Sequence, residues 1–181
     1  MSFSYEQLKT VNDALIAEHP TIQGESLAGL AASEELLRFP TFTHADAFAL
    51  GLRLKAAAEA LPAADRKPVV VDISVNGQCL FRYAAPGTSR DNDAWIARKK
   101  KTVERFAQSS YRIGRTLALA GTSLGRKYDV AEGEYAAHGG CWPITLRGGV
   151  MIGTITMSGL SQVLDHVVIS RVLAEFLQGA Q

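Results

Sequence analysis

The chain lacks the features that mark several common classes of protein. It has only two cysteines, Cys79 and Cys141, which make neither a disulfide framework nor a CxxC motif. We therefore expect reduced thiols and a cytoplasmic location, with a single disulfide between the two as the alternative. No apolar run approaches the roughly 20 residues of a membrane-spanning helix. The first residues carry acids without the apolar core of a secretory signal, so we expect no signal peptide and no membrane partner.

Charge of one sign and known catalytic motifs are also missing. The net charge is +1 over 181 residues, which gives no support for nucleic-acid binding. The sequence contains no GxSxG elbow, HExxH helix, P-loop or GxGxxG turn. Ser158 has a glycine on one side only, so a turn or cap explains it better than a nucleophile does. The sequence therefore names no reaction, and whether the protein is an enzyme stays open.

What the chain does have is the length and the apolar content of one globular domain, which we place at residues 1–181. Hydrophobic spacing and cap signals predict its helices, and runs of β-branched residues predict its strands. The predicted helices cover 4–18 (ended by Pro20), 43–61, 88–108, 111–120 and 161–177. The predicted strands cover 35–39, 69–75, 78–84, 135–137, 142–146 and 150–157, and residues 121–133 are predicted to be a loop.

Three local patterns give detail to these predictions. Asn76-Gly77 between two strand-like runs indicates a tight hairpin. Thr43 with Asp46, and Thr88 with Asp91, predict capping boxes at two helix starts. The first of these helices is expected to place an apolar face inward, formed by Phe48, Leu52, Leu54 and Leu61. Because most strands come as hairpins, we predict an α/β fold of the α+β kind, with an antiparallel sheet and helices packed on it.

Several segments together resemble a known family. They are the run Arg90–Lys100, the pair Ser109-Ser110, the segment His138–Ile144 (HGGCWPI), the pattern Gly153-x-Ile155-x-x-Ser158-Gly159-Leu160, and Asp165-His166. This joint pattern, spread over residues 30–178, is similar to the haem-degrading-domain superfamily of GlcG-like and HbpS-like proteins, in its branch of uncharacterised-protein-family members. The resemblance implies a profilin-like fold with a five-stranded antiparallel sheet between helices, and a homo-oligomer. The family name implies haem as a cofactor or ligand.

The best candidate for a functional site is His138 with Gly139 and Gly140. Glycines let another group approach the backbone closely, and a histidine beside them can serve as a ligand-binding group, a metal or haem ligand, or a general base. A backbone bend with a locally hydrogen-bonded His138 is the structural alternative. His166 is a conditional partner: it joins the site if it faces His138 and otherwise packs beneath the sheet, and helix capping alone explains its neighbour Asp165.

Basic residues near one helix start complete the candidate site. Arg90 lies beside the free N–H groups of that start, which suit an anion. Arg98 and Lys99 lie two turns further along and could contact an acidic ligand such as a haem propionate, or form a salt bridge with a neighbouring subunit. Helix capping for Arg90 and a solvated helix face for Arg98 and Lys99 are the simpler explanations.

These observations favour a ligand-binding protein of the haem-degrading-domain type, which would hold a small or acidic ligand near His138. The first alternative is a non-catalytic module for assembly or protein interaction, because fold alone does not fix function. The second is a small enzyme in which His138 is a general base oriented by Asp165 or Glu134. We predict no bound metal ion.

Overall fold

Two antiparallel hairpins form the central sheet of the protein. The computed structural model describes residues 3–18 and 24–179. The four strands are β1 Val70–Val75, β2 Gln78–Ala84, β3 Cys141–Thr145 and β4 Met151–Ser158. They lie in the order β2-β1-β4-β3, and every neighbouring pair is antiparallel. The hairpins therefore meet along β1 and β4, which are the two inner strands.

Seven helices surround this sheet in the described residues. They are α1 Tyr5–Glu18, α2 Gly24–Leu36, α3 His44–Glu59, α4 Arg90–Phe106, α5 Ser110–Leu119, α6 Leu124–Tyr128 and α7 Gln162–Gly179. Helices α3 and α7 pack on one face of the sheet, whereas α4 packs on the other. Helices α1 and α2 form an outer layer against α7 and α5.

The two faces of the sheet differ in chemistry because side chains alternate along each strand. On the face under α3 and α7, Val71 and Ile73 of β1 join the main hydrophobic core with Ile155 and Met157 of β4. On the other face, the intervening residues are polar and buried: Asp72, Ser74, Thr154, Thr156 and Ser158. A polar sheet face needs polar partners, and α4 supplies them through its lysines.

Several predictions from the sequence are confirmed. The hairpin turns at Asn76-Gly77, both with positive φ. Thr43 and Asp46 form the predicted capping box of α3. Helix α1 matches the prediction for 4–18, although Pro20 lies outside the described residues.

Other predictions are wrong in ways that tertiary packing explains. Residues 35–36 end helix α2 instead of starting a strand, and Phe39 makes only an isolated parallel bridge to Leu146. Residues 135–137 form no strand. The described sheet thus has four strands, and the fifth that the resemblance implies is not confirmed.

Two details of the helices also differ from prediction. The inner face of α3 is formed mainly by Ala47, Leu50, Gly51, Leu54 and Ala58, whereas Phe48 and Leu52 are exposed. The capping box of α4 pairs Ser89 with Asn92, one residue later than predicted. Within the predicted loop 121–133 lies the short helix α6.

Candidate functional site

The Gly139–Gly140 corner lies just before β3 and is closely packed. A Cβ atom on Gly139 would stand 1.8 Å from the carbonyl oxygen of Gln162. Gly140 has φ +109°, and a Cβ there would stand 2.4 Å from the carbonyl oxygen of Met157 and 2.7 Å from Nζ of Lys99. The contacts with the two backbone carbonyl oxygens are too short for any side chain. The two glycines therefore allow the chain to pass against the start of α7 and over the end of the Lys99 side chain.

A buried ion pair lies directly beneath this corner. Nζ of Lys99 donates to Oδ2 of Asp165 and to the carbonyl oxygen of Met157, each at 2.9 Å. The two side chains are only 4% and 3% exposed. Burial raises the pKa of Asp165 to about 6, against the opposing effect of the Lys99 charge. The pair links α4, β4 and α7 at one point.

His138 stands above the corner with an exposed side chain. Its ring contacts Trp95 edge to face, with centroids 5.0 Å apart. Partial burial lowers the pKa of His138, and the positive charges of Lys99 and Arg98 lower it further. The imidazole is therefore neutral at pH 7 and has a nitrogen lone pair that can bind a proton or a ligand.

Asp165 and Glu134, the two carboxylates expected to orient His138, do not bond to it in the described contacts. Asp165 pairs with Lys99, and Glu134 pairs with Lys101 at 2.7 Å. The geometry thus gives no support to the general-base hypothesis, which stays a prediction.

Two cavities meet at the residues Trp95, His138 and Gln162. The first, here called the Arg98 cavity, has a volume of about 380 Å³ and is also bordered by Arg98, Arg115, Leu117, Ser123, Glu132 and Tyr135. The second, the Lys99 cavity, has a volume of about 290 Å³ and is also bordered by Asp91, Asn92, Lys99, Ser158, Gly159, Leu160 and Asp165. His138 and Trp95 thus form a partition between a larger and a smaller cavity.

The structure places three of the seven predicted site residues, His138, Arg98 and Lys99, at these cavities. His138 borders both, Lys99 borders one and Arg98 the other, with Gly140 in contact with Lys99. The guanidinium carbon of Arg98 lies 4.1 Å from the centroid of Trp95, a cation–π geometry. Arg90 is exposed at the first position of α4 and borders neither cavity.

His166 lies in the protein core and borders neither cavity. It is 1% exposed, and its ring stacks on Tyr111 at 4.8 Å and lies 5.1 Å from Trp142. Burial lowers the pKa of His166 to about 3, so the ring stays neutral. This is the packed arrangement that the sequence allowed as the alternative for this residue.

Sequence reasoning missed several residues of the partition and of the larger cavity. Trp95, Gln162, Arg115 and Tyr135 were not singled out as site residues. Trp95 could have been found, because it stands one helical turn from Arg98 and so shares its face. The other three come from distant segments that only the fold brings together.

Metal and membrane features are absent from the part of the chain that the structure describes. No three His, Cys, Asp or Glu residues there are grouped as metal ligands. None of the described helices is long and apolar enough to span a bilayer. Both cysteines are free thiols, with Cys79 exposed and Cys141 buried.

Comparison with known proteins identifies the family. The model of a family described as "Haem degrading protein HbpS-like" matches residues 42–174. The chain belongs to this HbpS-like family. A UPF0303 protein of Schizosaccharomyces pombe is 45% identical over 148 residues, which cover 82% of each chain. Its name states no activity.

Two solved structures show the same fold. The Ybr137w protein superposes with a TM-score of 0.79 at 36% identity, covering 93% of this chain and 94% of its own. The PduOC:heme complex superposes with a TM-score of 0.53 at 21% identity, covering 71% of this chain and 92% of its own. At that identity the second likeness shows the fold alone.

Proposed function

We propose that this HbpS-like protein binds a small ligand bearing a carboxylate, at the place where the Arg98 cavity meets His138. The observation that carries the proposal is the convergence of Trp95, Arg98 and His138 on one cavity of about 380 Å³. This volume lies within the roughly 300–1,000 Å³ typical of small-molecule sites.

The chemistry of the lining supports an acidic ligand. A guanidinium is the side chain best suited to hold a carboxylate, because its planar N–H groups match the two carboxylate oxygens. Trp95 and Tyr135 add flat apolar walls on which a ring can stack. Neutral His138 can accept or donate one hydrogen bond at the cavity edge.

Haem is the first candidate ligand, because the family description names it and a solved relative is a haem complex. The residues fit it in two respects. His138 would offer an imidazole nitrogen to the iron, and Arg98 would hold a propionate. The chemistry that haem would supply is ligation and redox change at its iron. His166 has no comparable position, since its ring is enclosed by Tyr111 and Trp142.

A haem titration with matched histidine variants tests the haem form of the proposal. We expect a Soret shift that His138→Ala abolishes, that Arg98→Gln weakens, and that Arg90→Gln leaves unchanged, since Arg90 borders neither cavity. His166→Phe, which keeps a flat ring in the core, should also bind haem normally. The absence of a Soret shift would rule haem out as the ligand, and a shift that His138→Ala leaves intact would rule out His138 as the residue that holds it.

A second candidate function is assembly, which one surface favours. Phe48 is 59% exposed and Leu52 is 46% exposed on neighbouring turns of α3, with Phe81 packed edge to face against Phe48. Light scattering over a range of concentrations tests whether a homo-oligomer uses this face. We expect Phe48→Ser with Leu52→Ser to lower the mass, whereas Val150→Ser, at another exposed apolar site, should not. A mass unchanged by the double variant would exclude the α3 face.

The cytoplasmic location and the profilin-like label stay predictions. A fifth strand beside β3, where Phe39 makes its bridge, would support the label.

A further inference from the structure

Three side chains of α4, here called the ladder, lie in line along one helix face. Asp91, Trp95 and Arg98 stand at positions i, i+4 and i+7, which share a face of an α-helix. The indole N–H of Trp95 donates to Oδ2 of Asp91 at 3.2 Å. The guanidinium of Arg98 lies over the Trp95 ring. The helix thus presents an acid, a flat ring and a base in line.

Each member of the ladder borders a different part of the site. Asp91 borders the Lys99 cavity, Arg98 borders the Arg98 cavity, and Trp95 borders both. The acid and the base are therefore on opposite sides of the partition. Seven residues correspond to about 10 Å along the helix axis, the length of a small molecule with a ring in its middle.

The charges that line the two cavities have opposite net sign. The Arg98 cavity is bordered by two cations and one anion, Arg98, Arg115 and Glu132. The Lys99 cavity is bordered by one cation and two anions. Since Lys99 and Asp165 are paired with each other, Asp91 is the charge that the Lys99 cavity presents to a ligand.

We infer that the ligand is a zwitterion with a flat apolar middle, whose carboxylate lies in the Arg98 cavity and whose cationic group lies near Asp91. This inference rests on the proposed acidic-ligand function and is an alternative to its haem form, because haem carries two propionates and no cationic group. A ligand with two carboxylates would place the second one beside Asp91, where like charges repel. A ligand with a cationic group and no carboxylate would leave Arg98 without an anion to bind.

Four small probes of one shape separate these cases. They are 4-(aminomethyl)benzoate (zwitterion), 4-methylbenzoate (one carboxylate), terephthalate (two carboxylates) and 4-methylbenzylamine (cation). Affinities are measured by NMR titration of the ¹⁵N-labelled protein at pH 7 and low salt. We expect the zwitterion to bind about twofold to fivefold more tightly than 4-methylbenzoate, the range for a partly exposed charge pair. Terephthalate should bind more weakly than 4-methylbenzoate.

Variants that remove one charge test where the carboxylate and the cationic group of the ligand bind. Asp91→Asn should remove the advantage of the zwitterion and leave the affinity for 4-methylbenzoate unchanged, because asparagine can still accept the bond from Trp95. Arg98→Gln should lower the affinity for the zwitterion and for 4-methylbenzoate. The matched control is Asp93→Asn, in the same turn but outside both cavities and paired with Arg82. It should change neither affinity.

The outcomes distinguish this inference from the proposed function. If no acid shifts any resonance, the proposed acidic-ligand function fails. If the acids bind but terephthalate equals or exceeds the zwitterion, or if Asp91→Asn leaves the zwitterion's advantage intact, only the zwitterion inference is overturned.

Discussion

Two successive lysines of α4 each pair with a buried aspartate at 2.9 Å, and the two pairs differ in the exposure of the lysine and in the number of partners of the aspartate. Lys99 is 4% exposed and holds Asp165, which is 3% exposed. Lys100 is 21% exposed and shares Asp72 with Arg82, which is 36% exposed. Adjacent residues of a helix point about 100° apart, so one lysine reaches the start of α7 and the other reaches the middle of β1.

The difference shows which pair belongs to the site and which to the scaffold. Asp72 accepts bonds from Lys100, Arg82 and Ser74, so two cations and one hydroxyl group stabilise its charge. Asp165 has a single cation and two backbone donors, Gly159 and Leu160, in a nearly dry place. A buried pair is weak evidence for stability, because desolvation can outweigh the attraction. The Lys99–Asp165 pair borders a cavity, whereas the Asp72 network secures the polar face of the sheet.

The largest difference is expected when each lysine is replaced. Lys99→Met should lower the free energy of unfolding by about 3–5 kcal/mol, since it leaves a buried carboxylate without a cation. Lys100→Met should cost about 1 kcal/mol or less, because Arg82 remains and solvent screens the pair. Urea unfolding at pH 7 measures both.

A double variant separates charge from packing in this prediction. Lys99→Met combined with Asp165→Leu removes both buried charges and should recover most of the loss. If Lys100→Met proves as costly as Lys99→Met, the distinction between the two pairs is wrong.

A smaller effect is expected at the glycine that covers Lys99. Gly140→Ala should cost about 2–4 kcal/mol, from its positive φ and from overpacking against Met157 and Lys99. Gly77→Ala is the control, because Gly77 also has positive φ but nothing lies within 4 Å of its added Cβ. It should cost about 1 kcal/mol. Equal losses at the two positions would mean that contact with the Lys99–Asp165 pair contributes nothing.

The scaffold was largely predictable from local sequence patterns. The Asn76-Gly77 hairpin and the Thr43 cap are set by residues next to each other in sequence, so local rules suffice for them. The wrong predictions concern segments whose structure depends on tertiary contacts. Residues 35–39 (Glu-Leu-Leu-Arg-Phe) were interpreted as a short strand, but so short a segment does not distinguish a strand from the end of a buried helix.

Individual residues of the candidate site were predictable, but their contacts with residues distant in sequence were not. His138, Lys99 and Gly140 were singled out from the sequence, and the fold brings them within one neighbourhood. The partner of Lys99 is 66 positions away, and no local rule reaches that far. Trp142 and Tyr111 enclose His166, again from distant segments, so its place in the core was equally hidden.

The property that separates the two pairs most directly is their opposite dependence on pH. The folded pKa of Asp165 is raised from 3.8 to about 6 by burial, so its contribution to stability is complete below pH 3.8 and is lost as pH rises through 6. Bonds from Lys100, Ser74 and Arg82 outweigh burial and lower the pKa of Asp72, so its contribution is present above 3.8 and is lost as pH falls below that value. Each slope is at most about 1.4 kcal/mol per pH unit.

Free energies of unfolding between pH 3 and pH 8 test this for the wild type, Asp165→Asn and Asp72→Asn. Asparagine does not titrate, so the difference from wild type isolates each carboxyl group. For Asp165→Asn we expect the advantage of the wild type to shrink between about pH 4 and pH 7. For Asp72→Asn we expect it to shrink only below about pH 4. Parallel curves for the two variants would mean that burial does not govern the pKa of Asp165. The two pairs would then differ only in the exposure of their cations.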